Sequence, residues 1–116
     1  MKKIRQIIYY KDYFKDFFNL QTDKVKIKIN EVLYLITIVD RIPKKFIQHM
    51  EGTEGLYEVR IELGSNIFRI FCCFDEGNLI ILFNGFQKKD QKTPKREIEK
   101  AERLKTEYFH QKNKLK

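Results

Sequence analysis

Two cysteines, two histidines, two prolines and five glycines are all that this 116-residue chain holds of the residues that build disulfide scaffolds, metal centres and phosphate-cradling loops. Cys72 and Cys73 are adjacent, and neighbours on one strand point to opposite faces, which disfavours a bond between them. They read as core residues, and the cytoplasm is the simplest compartment for such a chain. His49 and His110 are far apart, no Cys-x-x-Cys pair exists, and no metal or other cofactor is expected. Both histidines read as ordinary surface residues. No glycine-rich phosphate loop and no Ser/His/Asp or Cys/His constellation is present. No run of about 18 uncharged apolar residues exists, so no membrane partner is expected. Residues 1–10 are basic but carry a short apolar run and no small-residue cleavage site, which argues against a signal peptide. An enzyme made from this sequence has Arg, Lys, Glu and Tyr to work with.

Ten Phe, six Tyr and many Ile supply a core and argue against disorder. The length fits a single domain over residues 1–116. The net charge of +8 is unevenly placed: residues 1–30 carry +5, residues 31–86 carry −3, and residues 87–116 carry +6. A basic chain of this kind suits a polyanion, of which nucleic acid is the common one; a merely lysine-rich protein is the alternative.

The order of elements follows from periodicity. Ile4 to Tyr9 is a β-branched and aromatic run, a first strand. Tyr10, Phe14, Phe17 and Phe18 mark a short amphipathic helix over 12–20. Thr22 or Asp23 caps a second helix, whose apolar face is Val25, Ile29, Val32, Leu33, Ile36 and Val39, although Lys24 to Ile29 also alternates like a strand. Ile42-Pro43 is expected to stop that helix, and Pro43 to Met50 to add a further helical turn. Beyond Gly55 the period becomes two. Tyr57, Val59, Ile61 and Leu63 alternate with Glu58, Arg60 and Glu62, then strands over 67–74 and 79–86 follow tight turns, giving an antiparallel meander. Thr93 is placed as the cap of a last helix, with Pro94 at its first position and Ile98, Ala101, Leu104, Lys105 and Tyr108 along one side. The fold class is α+β, with an N-terminal strand and helices packed on the meander and a C-terminal helix.

Two groups of residues could carry chemistry. Glu58, Arg60 and Glu62 share one face of their strand, and Arg69 stands among apolar residues of the next. An arginine there is costly to bury without an anion, and its planar fork matches a phosphate. A cross-strand ion pair to Glu58 or Glu62 is the structural alternative. The second group is Phe86 to Pro94, where an aromatic lies beside three lysines and a helix N-terminus. Lysines neutralise phosphates and an aromatic stacks on an unpaired base; a solvated loop is the alternative.

Gly55-Leu56-Tyr57-Glu58-Val59-Arg60, Phe68-Arg69-Ile70, Asn84-Gly85-Phe86-Gln87-Lys88-Lys89, Thr93-Pro94 and Glu97-Ile98-x-x-Ala101, in this order and spacing, resemble the phage-derived, HigB-like branch of the RelE toxin superfamily. The likeness is close over 55 to about 108, and upstream only the layout matches. It implies a microbial-ribonuclease-like α+β fold and a type II toxin that cuts messenger RNA on the ribosome. It also implies a cognate helix-turn-helix, HigA-like antitoxin. By position it makes Arg60 and Arg69 the residues facing the scissile phosphate and Lys88 and Lys89 the basic residues after the last strand. Phe86 belongs to the same motif, as an RNA-binding or a packing residue. Lys92, Lys95 and Arg96 are further candidates for RNA binding. Some relatives carry lysine at the position of Glu58 and tyrosine at that of Ile98, so the general base is open between Glu58 and Lys88 or Lys89. A gyrase-inhibiting toxin of the ParE kind and a non-catalytic nucleic-acid-binding phage protein are the alternative functions.

Overall fold

The computed structural model describes residues 2–115, which form eight elements. They are β1 (Gln6–Tyr9), α1 (Tyr13–Asn19), α2 (Asp23–Ile38), β2 (Ile47–His49), β3 (Tyr57–Leu63), β4 (Asn66–Asp75), β5 (Leu79–Lys88) and α3 (Lys95–Lys114). The five strands make one sheet in the order β1-β5-β4-β3-β2. The meander β3–β4–β5 is antiparallel, as its alternating pattern requires. The first strand joins it in parallel: Gln6 to Tyr9 pair with Leu79 to Leu82.

The sheet separates two cores. On one side α1 and α2 bury Phe14, Phe17, Val25, Ile29, Val32 and Ile36 against Val59, Ile61, Phe68, Ile70 and Leu82. On the other side α3 lays Ala101 and Leu104 on Phe71, Cys73, Ile81 and Phe83. Cys72 and Cys73 face opposite cores, both free and buried. Burial pushes the Cys73 thiol to about 12 and raises that of Cys72 as well, so both stay protonated and inert near neutral pH.

The helical period wins over the strand-like alternation of residues 24–29, because Val25, Ile29, Val32 and Ile36 form one buried stripe. Thr22 begins α2 by accepting the N–H of Val25 at 3.3 Å. The helix ends at Ile38, short of the proline expected to stop it. There the Arg5 guanidinium donates to the carbonyls of Ile36, Val39 and Asp40 at 3.0, 2.6 and 2.8 Å, which satisfies acceptors a helix end leaves open.

Three other expectations are corrected. The stretch after Pro43 makes a single turn, with Ile47 N–H reaching the Pro43 carbonyl at 3.3 Å, and then becomes strand β2 along β3. The last helix is capped at Pro94, one residue later than Thr93, and no side chain caps it. Strand β5 runs on to Lys88, so Lys88 is a strand residue where a loop was expected.

The far end of α3 is tied to the β4–β5 turn. Tyr108 Oη and Lys112 Nζ donate to the two Asp75 carboxylate oxygens at 2.6 and 2.8 Å. Burial works against ionisation of Asp75, yet the bonds from Lys112, Tyr108 and the Glu76 N–H outweigh it and hold the carboxyl below its ordinary value. An acid whose native pKa is lowered contributes stability that is complete above its unfolded value, about 3.9, and is lost as pH falls through the native value. Hydrogen-exchange protection of the last turns of α3 is therefore expected to drop below about pH 4. Asp75→Asn should weaken that end already at neutral pH and flatten the acid response. Identical exchange profiles for the two proteins from pH 7 to pH 3 would rule the tie out.

Candidate functional site

Strand pairing sets the site, because residues directly opposite on neighbouring strands project from the same face. Arg60 of β3 stands opposite Arg69 of β4, and Arg69 opposite Phe86 of β5. One step along, Glu62, Ile67 and Lys88 form the next row, and Glu58 and Phe71 the row on the other side. The two arginines, Glu58, Phe86 and Lys88 thus converge on the face that α3 covers further along.

Arg69 is only 1% exposed. Its Nη1 donates to the Phe68 carbonyl at 3.2 Å, while its buried Nε makes no hydrogen bond among the described residues. Glu58, itself buried, lies between the two guanidiniums, with Oε1 3.6 Å from Arg69 Nε and Oε2 3.6 Å from Arg60 Nε. Both contacts exceed hydrogen-bond length. The ion-pair alternative for Arg69 is therefore present, with Glu58 as the partner. Among the described residues Glu58 is the one carboxylate within 4 Å of the two guanidiniums, with Glu62 further along the same face, and like charges directly opposite on a sheet repel. Burial, and then Arg60, lowers the pKa of Arg69, with Glu58 and Glu62 opposing. Burial and Arg60 are costs of keeping a cation there, which a bound anion would offset.

Phe86 is half-buried and stacks on Phe71, ring centroids 5.7 Å apart and planes 28° apart. One of its faces is therefore spent on packing. Lys88 is partly covered on the site face, whereas Lys89 leaves the strand and is exposed. Lys92, Lys95 and Arg96 are exposed on the following loop and first turn of α3, and Lys95 sits 3.8 Å from Glu99. They rim the site and take no part in its buried centre. Ile98 packs into the core beneath α3.

Asn84 was not singled out in the sequence, although a buried asparagine in mid-strand is a signal. Its Nδ2 donates to the Glu97 carbonyl at 3.2 Å and to Glu97 Oε1 at 3.1 Å, pinning the first turn of α3 to β5 beside Phe86. His49 lies away on β2, exposed, with its ring edge-on to Tyr57. Among the described residues no three His, Cys, Asp or Glu side chains cluster as metal ligands, and no helix is long and apolar enough to cross a membrane.

The family model described as "Phage derived protein Gp49-like (DUF891)" matches residues 16–106. No curated protein sequence matches the chain. Two solved structures are similar in fold. One is a chain of the archaeal RelE–RelB complex from Pyrococcus horikoshii OT3, with 15% identity, TM-score 0.53, and 71% of this chain and 92% of that chain covered. The other is from the RelB–RelE antitoxin–toxin complex of Methanococcus jannaschii, with 19% identity, TM-score 0.52, and 75% and 99% covered. At these identities the likeness is one of fold, and the fold is RelE-like.

Proposed function

Since the chain belongs to the phage-derived Gp49-like family, we propose that it is the toxin of a type II toxin–antitoxin pair and acts as an endoribonuclease on messenger RNA, on the ribosome. The observation that carries this reading is the pair of arginines, Arg60 and Arg69, held opposite each other on a face where they and Lys88 meet only Glu58 and Glu62. A scissile phosphodiester supplies the missing negative charge. In the reaction a ribose 2′ oxygen attacks the adjacent phosphorus, the bond to the 5′ oxygen breaks, a base takes the 2′ proton and an acid returns one to the leaving oxygen. Arg69 and Arg60 stabilise charge on the phosphoryl oxygens. Glu58 is the base we favour, because it is the carboxylate nearest both arginines; Lys88 is the competitor on the same face, and Lys89 is poorly placed for it. Phe86 offers its free side to a base, and Lys92, Lys95 and Arg96 hold RNA backbone at the rim.

Brief induction followed by mapping of messenger ends is the deciding experiment. New 5′ ends within translated messages, and growth arrest, are expected. Intact messages with inhibited DNA gyrase would favour the gyrase-inhibiting alternative, and intact messages without arrest the non-catalytic one. Because the described residues offer no ligand cluster, cleavage should survive chelation when ribosome integrity is controlled. Loss of cleavage on chelation with ribosomes still intact would overturn that point.

A basic toxin that cuts messenger RNA needs neutralising. The similar complexes pair a toxin with RelB, and the sequence resemblance adds a helix-turn-helix domain to the partner expected here. Co-expression of the adjacent gene should restore growth, and failure of every neighbouring gene to do so would count against the pair.

A further inference from the structure

Arg60 also lines a concavity. Strand β2 pairs with β3 only over Tyr57 to Val59, leaving the edge of β3 beyond Arg60 without a neighbouring strand. A hollow of about 530 Å³ wraps that edge, and Lys28 of α2, Lys44, Lys45, Gln48, Arg60 and Glu62 line it. Four cations thus meet one carboxylate. None of the three lysines makes an ion pair among the described residues. They come from a helix and from the turn before β2, some sixteen residues apart in sequence, so the fold gathers them. Lys45 lies over the Phe46 ring, Nζ 4.9 Å from its centroid, and Gln48 donates to the Lys44 carbonyl at 3.3 Å, which steadies the turn that carries both lysines.

We infer that this hollow binds a backbone phosphate of the cleaved strand next to the scissile one, so that single-stranded RNA crosses the site from Lys88 over Arg69 and Arg60 to Lys28, Lys44 and Lys45. The inference rests on the ribonuclease reading for its substrate. Its physical basis is continuity: Arg60 touches the buried carboxylate Glu58 on one side and lines the basic hollow on the other. Lysines act there as point charges that neutralise phosphates and fix the strand's position, without reading its sequence.

The test uses the full chain with Lys28, Lys44 and Lys45 all changed to Ala, beside a control with exposed Lys2, Lys15 and Lys114 changed to Ala. The probe is a fluorescent six-nucleotide single-stranded RNA, 2′-O-methylated so that it cannot be cut. The hollow variant should bind about tenfold or more weakly at low salt. The slope of log affinity on log salt should fall by about 0.7, the contribution of one neutralised phosphate on a single strand. On translated messenger its KM should rise about tenfold with kcat within twofold. The control should change neither. Equal effects in both variants, no change in the hollow variant, or no binding by the wild type at low salt would each overturn the inference. A wild type that binds RNA through these lysines and never cleaves leaves the hollow standing and removes the ribonuclease reading. Cleavage abolished by changing Arg69 but indifferent to the lysines does the reverse.

Discussion

Replacing Arg69 with lysine should lower messenger cleavage by about a hundredfold to a thousandfold in a protein that remains folded, the loss typical of one transition-state stabiliser. Lysine keeps a cation for Glu58 but cannot offer two phosphoryl oxygens the planar fork of a guanidinium. Arg69→Ala is the harsher change. It leaves buried Glu58 with Arg60 alone, and breaking a buried pair from one side costs about 3–5 kcal/mol. Its activity should therefore be judged per folded molecule. The purely structural account predicts that the lysine variant cuts normally once folded and that any loss follows melting temperature. Cleavage rate and melting temperature measured on the same purified variants decide the matter. A stable Arg69→Lys protein that cuts at the wild-type rate sinks the catalytic role.

Gly85→Ala should destabilise the whole domain by about 1–3 kcal/mol, the usual cost of overpacking a core. A Cβ at residue 85 would lie 2.6 Å from Phe17 Cδ2 and 2.8 Å from its Cγ. The ring is buried, with α1 at its back and Phe68 at its edge, so it has little room to yield. A fall in melting temperature of roughly 5–15 °C is expected. The glycine sits next to Phe86 in the strand that also carries Lys88, which gives a packing reason for its place between Asn84 and Phe86. Combining the change with Phe17→Ala should cost less than the sum of the two single changes. Strict additivity, or a melting temperature within a degree of wild type for Gly85→Ala, would show that the close approach is relieved cheaply.

Local pattern made some of this architecture legible and left the rest hidden. Residues 57–63 alternate so strictly that their charged face is legible in the sequence, whereas the strand register is what sets Arg60 opposite Arg69. The stripe from Val25 to Ile36 likewise fixed the buried side of α2. What escaped depends on distant partners. Strand β2 has three residues and follows a proline, and it is a strand because Ile47 meets Val59. The parallel pairing of β1 to β5 joins residues more than seventy apart, beyond any local signal. At the site, the sequence left phosphate binding and ion pairing as rivals for Arg69. The geometry makes them compatible, since Glu58 compensates only part of the charge. Asn84 escaped because its partner, Glu97, lies on another element, and the Lys28–Lys44–Lys45 grouping because it exists only in three dimensions.

The parallel seam between the ends of the chain bears on the genetics of the locus. Strand β1 has one neighbour in the sheet, and that neighbour begins at Leu79. A premature stop or frameshift upstream of that point removes at least two elements directly and also strands β1, whose backbone groups are left to water. Loss of residues 6–9 likewise exposes β5 from the other side. Lesions far apart in the sequence therefore converge on the same defect. On the toxin reading proposed above, silencing mutations should be spread over the codons of both paired segments rather than gathered at those for the two arginines.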